Sequence, residues 1–399
     1  MLNRLISKFP PELRLMLASA DSDLKKTEYL LQQSINWDKF LQLADHHRVY
    51  PLVYSTLSRL DNLAVPGYVL DALRQICRDN TLSALRITGE MVRIGSLLEH
   101  KNINAVVLKG APLSWRLYSD IAARPYADID MLVAADKVER AIAVLEKEGY
   151  SRISEYDSYN LTPRQLQIYL KRYEHNSHFE YWNSEKRVLV EIHWKLSKYG
   201  NVLPFPAEGG INKTVVAGNV HSVLSDDEWL LYLVLHGAGH KWQRFRWLLD
   251  IKKFIQQENI DWIRLDSLAV KFGIQPLLHQ ALILVSQVFG AYLPPCIEPE
   301  ASRDKTAWRL AYLALKAYIL NTGDQAGSSG IISYYVNLSY GFYMNRRVQD
   351  KFNYLLKLFE PTADDIKLVA LPDRLYALYY ISGPFIFIAR YLRRLTVRD

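Results

Sequence analysis

Apolar residues recur at helical spacing over roughly the first hundred positions. Leu13, Leu15, Met16 and Leu17 precede Leu24 and Leu30–Leu31, and Trp37, Phe40, Leu41 and Ala44 continue the pattern into Leu52–Val53 and Leu57. Leu82, Leu85, Ile87, Met91, Ile94, Leu97 and Leu98 predict a long amphipathic helix that ends at a turn near Lys101–Asn102. The texture changes at Ile103. Asn104–Leu108 is a short apolar run rich in β-branched residues, bounded by Lys109–Gly110, and predicts a buried strand. A helix over Ala111–Ser119, a second strand over Asp128–Val133 and a helix over Val138–Gly149 follow, the last closed by its glycine. Phe179–Trp182 and Arg187–His193 predict two more strands about a turn at Asn183–Ser184. Helical periodicity returns from Asp226, through Trp229–Leu235, to about Ala291. Pro294–Pro295 and the acidic stretch to Glu300 read as a connection into an aromatic-rich, mostly helical remainder.

This order predicts an α+β protein. A small mixed-sheet core over 101–225 is flanked by an N-terminal helical region (1–100), a helical domain closing a cleft (226–295) and a C-terminal helical region (296–399). The 399 residues exceed the roughly 100–200 of one domain, which agrees with several units. A hydrophobic share of 49% supplies a sizeable core, and 23% charged residues exclude the disordered class. Cys77 and Cys296 alone exclude a disulfide framework and a cysteine zinc site. They fit a reducing compartment, and the first residues show neither an apolar signal core nor a cleavage site, so a cytoplasmic location is expected. The net charge of +7 favours anionic ligands such as nucleotides, RNA or a membrane surface without choosing among them.

The chemistry gathers on the predicted sheet. Asp128 and Asp130 are one residue apart on a strand, so their side chains share a face. Two carboxylates on one face repel unless a cation sits between them, and hard oxygen ligands suit Mg²⁺ (or Mn²⁺) together with substrate phosphates. A pair of such ions can stabilise both the attacking and the leaving oxygen of a phosphoryl-type transfer. Glu191, on a strand that could lie beside the first, is the candidate third carboxylate, as metal ligand, as acceptor of the attacking group's proton, or both. The opposing reading makes Glu191 a strand-edge residue paired with a lysine or arginine. His193 shares its face, and His178 and Glu180 alternate on the neighbouring strand, either lining a cleft or in ordinary strand pairing.

Upstream, Gly110 sits at a strand-to-helix turn where the backbone can approach a phosphate, and the helix opening at Ala111 offers free N–H groups. Lys109 and Arg124 could neutralise phosphate, Arg124 in bidentate fashion. His236 and His240 are four apart and share a helix face, with Lys241 and Arg244 beside them. Three readings stand for this pair: a zinc site needing further ligands, phosphate or base contact across the cleft, or hydrogen bonding to backbone or to carboxylates such as Asp250. Leu375–Leu392 is aromatic and apolar, interrupted by Gly383–Pro384 and Arg390 and followed by further arginines. That tail reads either as a helix packed on the fold or as a basic amphipathic element giving peripheral membrane contact through residues 373–399.

The motifs Leu108-Lys-Gly110, Tyr118-Ser-Asp120, Arg124-Pro-Tyr-Ala-Asp-Ile-Asp-Met-Leu-Val133, Val190-Glu-Ile-His-Trp194, Leu235-His-Gly-Ala-Gly-His-Lys-Trp242 and Trp247-Leu-Leu-Asp250 together resemble the signature of the bacterial uncharacterised nucleotidyltransferase family. That family belongs to the polymerase-β-like superfamily, and the resemblance spans roughly residues 35–290. It implies that Asp128 and Asp130 are paired metal ligands, Glu191 the third carboxylate, and Gly110 part of a phosphate-holding turn. One departure stands out: the superfamily usually has Gly-Ser or Gly-Gly at that turn, whereas here Lys109-Gly110 leads into Ala111, and the nearest hydroxyl is that of Ser114, one turn onward. The expected activity is Mg²⁺-dependent transfer of a nucleoside monophosphate from a nucleoside triphosphate to an acceptor. Because lysines and arginines are scattered along the chain, a small molecule or peptide is expected over RNA. The alternative is a catalytically degenerate module that binds a nucleotide or a partner.

Overall fold

The computed structural model describes residues 2–60, 65–153, 178–196, 203, 206, 210–256, 260–322, 330–345 and 348–358, with isolated positions between 372 and 385. Most of the segment 373–399 lies outside the described residues, and with it the question of membrane contact. No described helix is long and apolar enough to cross a membrane.

The fold is α+β, with a mixed seven-stranded sheet among helical regions. The strands are β1 (Val106–Val107), β2 (Asp128–Leu132), β3 (Ser151–Arg152), β4 (His178–Asn183), β5 (Val188–His193), β6 (Ile211–Val216) and β7 (Asn219–Leu224), in the order β3-β4-β5-β2-β1-β7-β6. β2 pairs parallel with β5 and antiparallel with β1. The interior residues Val106, Ile129, Met131, Val190 and Ile192 are almost fully buried, which follows from a central position in the sheet.

The β6–β7 hairpin is absent from the sequence expectation. β6 exposes Asn212, Lys213 and Val215 at the sheet edge, so its apolar alternation is weak. Its turn carries the readable signal: Ala217 and Gly218 both have positive φ, 52° and 75°, as a two-residue hairpin with matching twist requires.

The helix Gly67–His100, at 34 residues about 50 Å long, braces the sheet. Val69, Leu73, Ala84, Ile87, Met91, Ile94 and Leu98 form its buried stripe. Two polar residues in that stripe have specific partners. Asn80 Nδ2 donates to the Ala122 carbonyl at 2.8 Å, and Thr88 Oγ1 lies 2.9 Å from Tyr126 Oη. Both hold the loop that delivers the chain to Asp128.

The terminal helices meet behind the cleft. Phe9, Phe245 and Tyr318 pack edge to face with ring centroids 4.9–6.1 Å apart. Among them His47 is fully buried. The Phe245 amide donates to its Nδ1 at 3.3 Å, and its Nε2 lies 2.9 Å from Tyr318 Oη. Nδ1 is therefore an acceptor and the proton sits on Nε2. Burial, then His46 and Arg244, push the His47 pKa down to about 3. Below pH 6.5 the unfolded chain takes a proton that the native state refuses, so stability falls as pH drops from about 6.5 toward 3. The expected slope from this residue is about 1.4 kcal/mol per pH unit. Urea unfolding at pH 7, 6 and 5 checks it: His47→Gln should flatten the profile, and an unchanged slope would remove His47 as the cause.

Candidate functional site

The register of the sheet assembles the carboxylates. β2 and β5 run side by side with Asp130 opposite Glu191. Because alternate residues of a strand share a face, Asp128, Asp130, Glu191 and His193 project together. β4 adds Glu180 opposite Glu191 and His178 opposite His193. One oxygen from each of Asp128, Asp130 and Glu191 lies within 4.8 Å of the others. A second set, His178, Glu191 and His193, meets the same limit and shares Glu191 with the first.

Asp130 is the deepest member, 1% exposed. Lys109 Nζ is 2.8 Å and His193 Nε2 3.3 Å from its Oδ1. These are charge contacts, and both Asp130 oxygens lack a well-directed hydrogen-bond donor. His193 Nε2 also lies 3.0 Å from Glu191 Oε2, and His178 Nε2 lies 3.4 Å from Glu180 Oε1. Burial alone would raise the Asp130 carboxyl, but Lys109 and then His193 outweigh it and hold the group well below the usual carboxylate range. Asp128 is raised, by burial first and then by Asp130. Burial would lower His193, yet its contacts with Asp130 and Glu191 raise it. Three acidic groups crowded in one buried place, with undirected oxygens at their centre, fit a hard divalent cation.

The carboxylates open into a cleft of about 510 Å³, in the size range of small-molecule sites. Arg48, Lys109, Arg124, Arg244 and Arg246 line it together with Asp128, Glu180 and Glu191. Arg124 is 2% exposed; its Nε donates to Asp250 Oδ2 at 2.9 Å while its Nη2 is buried without a partner. Arg246 Nη1 donates to the Pro125 carbonyl, and its Nε has no partner. Burial, then the neighbouring Arg124, push the Arg246 pKa down to about 9. Asp250, fully buried, accepts from Arg124 and from the Tyr118 hydroxyl at 3.1 Å. Buried guanidiniums that line a cleft with donors left unfilled suit an anion.

The aromatic side of the cleft belongs to His236, His240 and Trp247, whose ring centroids are 4.7–5.3 Å apart. Burial, then Lys109 and His240, hold the His236 pKa well below its ordinary value, so the ring is neutral. Among the described residues no carboxylate or cysteine joins His236 and His240 into a metal-ligating group.

The structure thus brings Lys109, Arg124, Asp128, Glu191, His236 and His240 to one cleft, with Asp130 directly beneath Lys109. Other expected contacts are engaged elsewhere. Lys241 Nζ donates to Asn337 Oδ1 at 2.8 Å, away from the lining residues. Ser114 is fully buried: its hydroxyl donates to the Asp120 carbonyl at 2.5 Å and accepts the Arg124 amide at 3.1 Å, so it ties the loop that places Arg124. Gly110, at φ 70°, and Ala111 are buried at the start of the Ala111–Tyr118 helix and are not among the lining residues. The positive φ at Gly110 is what reserves that position for glycine, since an added Cβ would meet nothing closer than 3.8 Å. Sequence reading missed His46, Arg48, Tyr232, Arg246 and Trp247 as lining residues. The run His46-His47-Arg48 at the end of a helix is the signal for the first two, and Arg48 adopts a positive φ of 51° there.

A mixed sheet of this kind, flanked by helices, is consistent with a nucleotidyltransferase core. A family model described as "Uncharacterised nucleotidyltransferase" matches residues 33–290, well over half of the chain, and the chain belongs to that family. No curated protein and no solved structure gave a match. The family's name sets nucleotidyl transfer as the general class of activity.

Proposed function

We propose that the cleft transfers a nucleoside monophosphate from a nucleoside triphosphate to an acceptor, with Mg²⁺ or Mn²⁺. The carrying observation is the convergence of Asp128, Asp130 and Glu191 within 4.8 Å beside buried, incompletely paired arginines in one cleft. The bound ion would neutralise charge on the triphosphate and polarise the α-phosphoryl group. Asp128, Asp130 and Glu191 would hold it. Arg124 and Arg246, with Arg48 and Arg244, bind phosphate oxygens. His236, His240 and Trp247 offer the nucleobase a flat surface. The acceptor's oxygen or nitrogen forms a bond to the α-phosphorus as the bond to the β-phosphate's bridging oxygen breaks. Pyrophosphate leaves with the electron pair, and the acceptor's proton passes to Glu191, with His193 alongside. The acceptor we propose is a small molecule or peptide rather than RNA, because lysines and arginines are scattered along the chain, and the location we propose is the cytoplasm.

The test is thermal unfolding with Mg²⁺ and each of the four nucleoside triphosphates, alongside release of labelled pyrophosphate. A ligand at ~100 times its dissociation constant adds about 2.7 kcal/mol. A Mg²⁺-dependent stabilisation lost in the Asp128→Ala/Asp130→Ala protein supports the site, and no stabilisation by any triphosphate counts against it.

One observation favours a second reading, a binding module without turnover. The Lys109 ammonium stands 2.8 Å from the buried Asp130, where it already supplies a cation. Lys109→Ala separates the two. If Lys109 serves triphosphate binding, the variant binds nucleotide about tenfold or more weakly at constant Mg²⁺. If it substitutes for the metal, the variant gains Mg²⁺ affinity, which calorimetry with Mg²⁺ alone would detect.

A further inference from the structure

Away from the cleft, three helices bring a histidine and two carboxylates together. His279 lies on the helix Gln275–Phe289, Asp266 on Trp262–Lys271 and Glu300 on Glu298–Arg303. Their donor atoms lie within 4.8 Å of one another. His279 is 2% exposed. Its Nδ1 is 3.0 Å from Asp304 Oδ2, and the other Asp304 oxygen accepts the amides of Thr306 and Ala307, each at 3.0 Å. An ionised carboxylate can only accept, so Nδ1 is the donor to Asp304, which leaves Nε2 as the ring atom open to a ligand. That Nε2 is buried with no hydrogen-bond partner, 3.6 Å from Asp266 Oδ1. Gln275 Nε2 donates to both Asp266 oxygens, at 3.1 and 3.2 Å, and fixes that carboxylate.

A buried ring nitrogen without a hydrogen-bond partner, grouped with two carboxylates, suits a cation shared among the three. The 3.6 Å separation of Nε2 from Asp266 Oδ1 exceeds hydrogen-bond length. Among the described residues no lysine or arginine forms an ion pair with Asp266 or Glu300. A second cavity of about 510 Å³ reaches both His279 and Glu300, which gives an ion an entry path and room for water.

We propose that His279, Asp266 and Glu300 bind a Zn²⁺ ion, with Asp304 as the carboxylate that orients the histidine. A carboxylate holding the far nitrogen of a ligating imidazole is the usual arrangement behind such a ligand. Imidazole with carboxylates selects zinc over Mg²⁺, which takes oxygen ligands and dehydrates reluctantly. Donors around a four-coordinate zinc sit about 3.3 Å apart, so the observed spacing closes by a side-chain adjustment of about 1 Å or less. The ion would join Asp266 and His279, inside the family segment that ends at 290, to Glu300 beyond it, next to the cap of the Lys305–Thr322 helix. Its role is to fasten the C-terminal helices to the family domain.

The test uses the full chain carrying Glu191→Gln, which disarms both ligand sets of the cleft. After treatment with a chelator, calorimetry with Zn²⁺ alone should show one equivalent bound at micromolar concentrations, and the unfolding temperature should rise by several degrees. Adding His279→Gln should abolish both effects. Adding Glu300→Gln, at an exposed position that leaves the core intact, should weaken Zn²⁺ binding about tenfold or more. Mg²⁺ should not substitute. Failure of the Glu191→Gln protein to bind Zn²⁺, or binding that survives Glu300→Gln unchanged, overturns the proposal. Neither result touches the nucleotide site, which is read by triphosphate binding in the wild-type protein.

Discussion

Asp130→Ala is expected to lower Mg²⁺-dependent transfer by about a thousandfold or more. Asp130 is the innermost of the three carboxylates and touches both Lys109 and His193. Its removal takes a ligand from the proposed metal position and a counter-charge from Lys109 in the same step. Charge stabilisation by a bound ion is worth several kcal/mol, and each 1.4 kcal/mol or so is a factor of ten in rate. Loss of the partner also leaves a lysine that is only 12% exposed without its carboxylate, so some stability is lost as well. Asp130→Asn keeps the shape and removes only the charge, and should be nearly as inactive. Steady-state assays with a labelled triphosphate decide the matter once circular dichroism has shown that both variants are folded. Full Mg²⁺-dependent turnover in either one would falsify the assignment.

Asp250→Ala should have the largest effect on folding, a loss of about 3–5 kcal/mol. Asp250 is fully buried and accepts hydrogen bonds from Arg124 and Tyr118. Arg246, whose pKa burial and then Arg124 push down to about 9 so that it still carries its charge at neutral pH, is the second cation that Asp250 offsets. Without the carboxylate, two buried guanidiniums face each other uncompensated. The urea midpoint should drop sharply, with the slope of the transition unchanged. Asp250→Asn retains acceptor geometry without charge and should fall between wild type and alanine. A cost below about 1 kcal/mol for the alanine variant would mean that solvent already reaches these cations.

Legibility from sequence divides along physical lines. Asp128, Asp130 and Glu191 could be placed because strand alternation is strictly local: two residues apart means one face, whatever the rest of the chain does. Which strand lies beside which is a long-range matter, and the pairing of Asp130 with Glu191 needed the sheet itself. His46 and Arg48 come to the cleft from a helix junction far from the carboxylates in sequence, and no periodicity encodes that meeting. Ser114 and Lys241 illustrate the opposite problem. Their chemistry suits phosphate, yet the folded chain gives their polar atoms protein partners, Asp120 with Arg124 and Asn337 respectively. Composition reveals what a side chain can bind; only packing decides what it does bind.

The hydrogen bond from the Phe245 amide to His47 has a practical consequence. Phe245 follows Arg244 in sequence, and Arg244 lines the cleft. The amide proton of Phe245 is therefore locked by a ring from the N-terminal helices while its neighbour's side chain faces the proposed phosphates. Its exchange with deuterated solvent would report, at one backbone position, whether occupancy of the cleft and the seating of the N-terminal helices are energetically coupled. Slower exchange with nucleotide bound would show that filling the cleft also tightens the junction between the two ends of the chain.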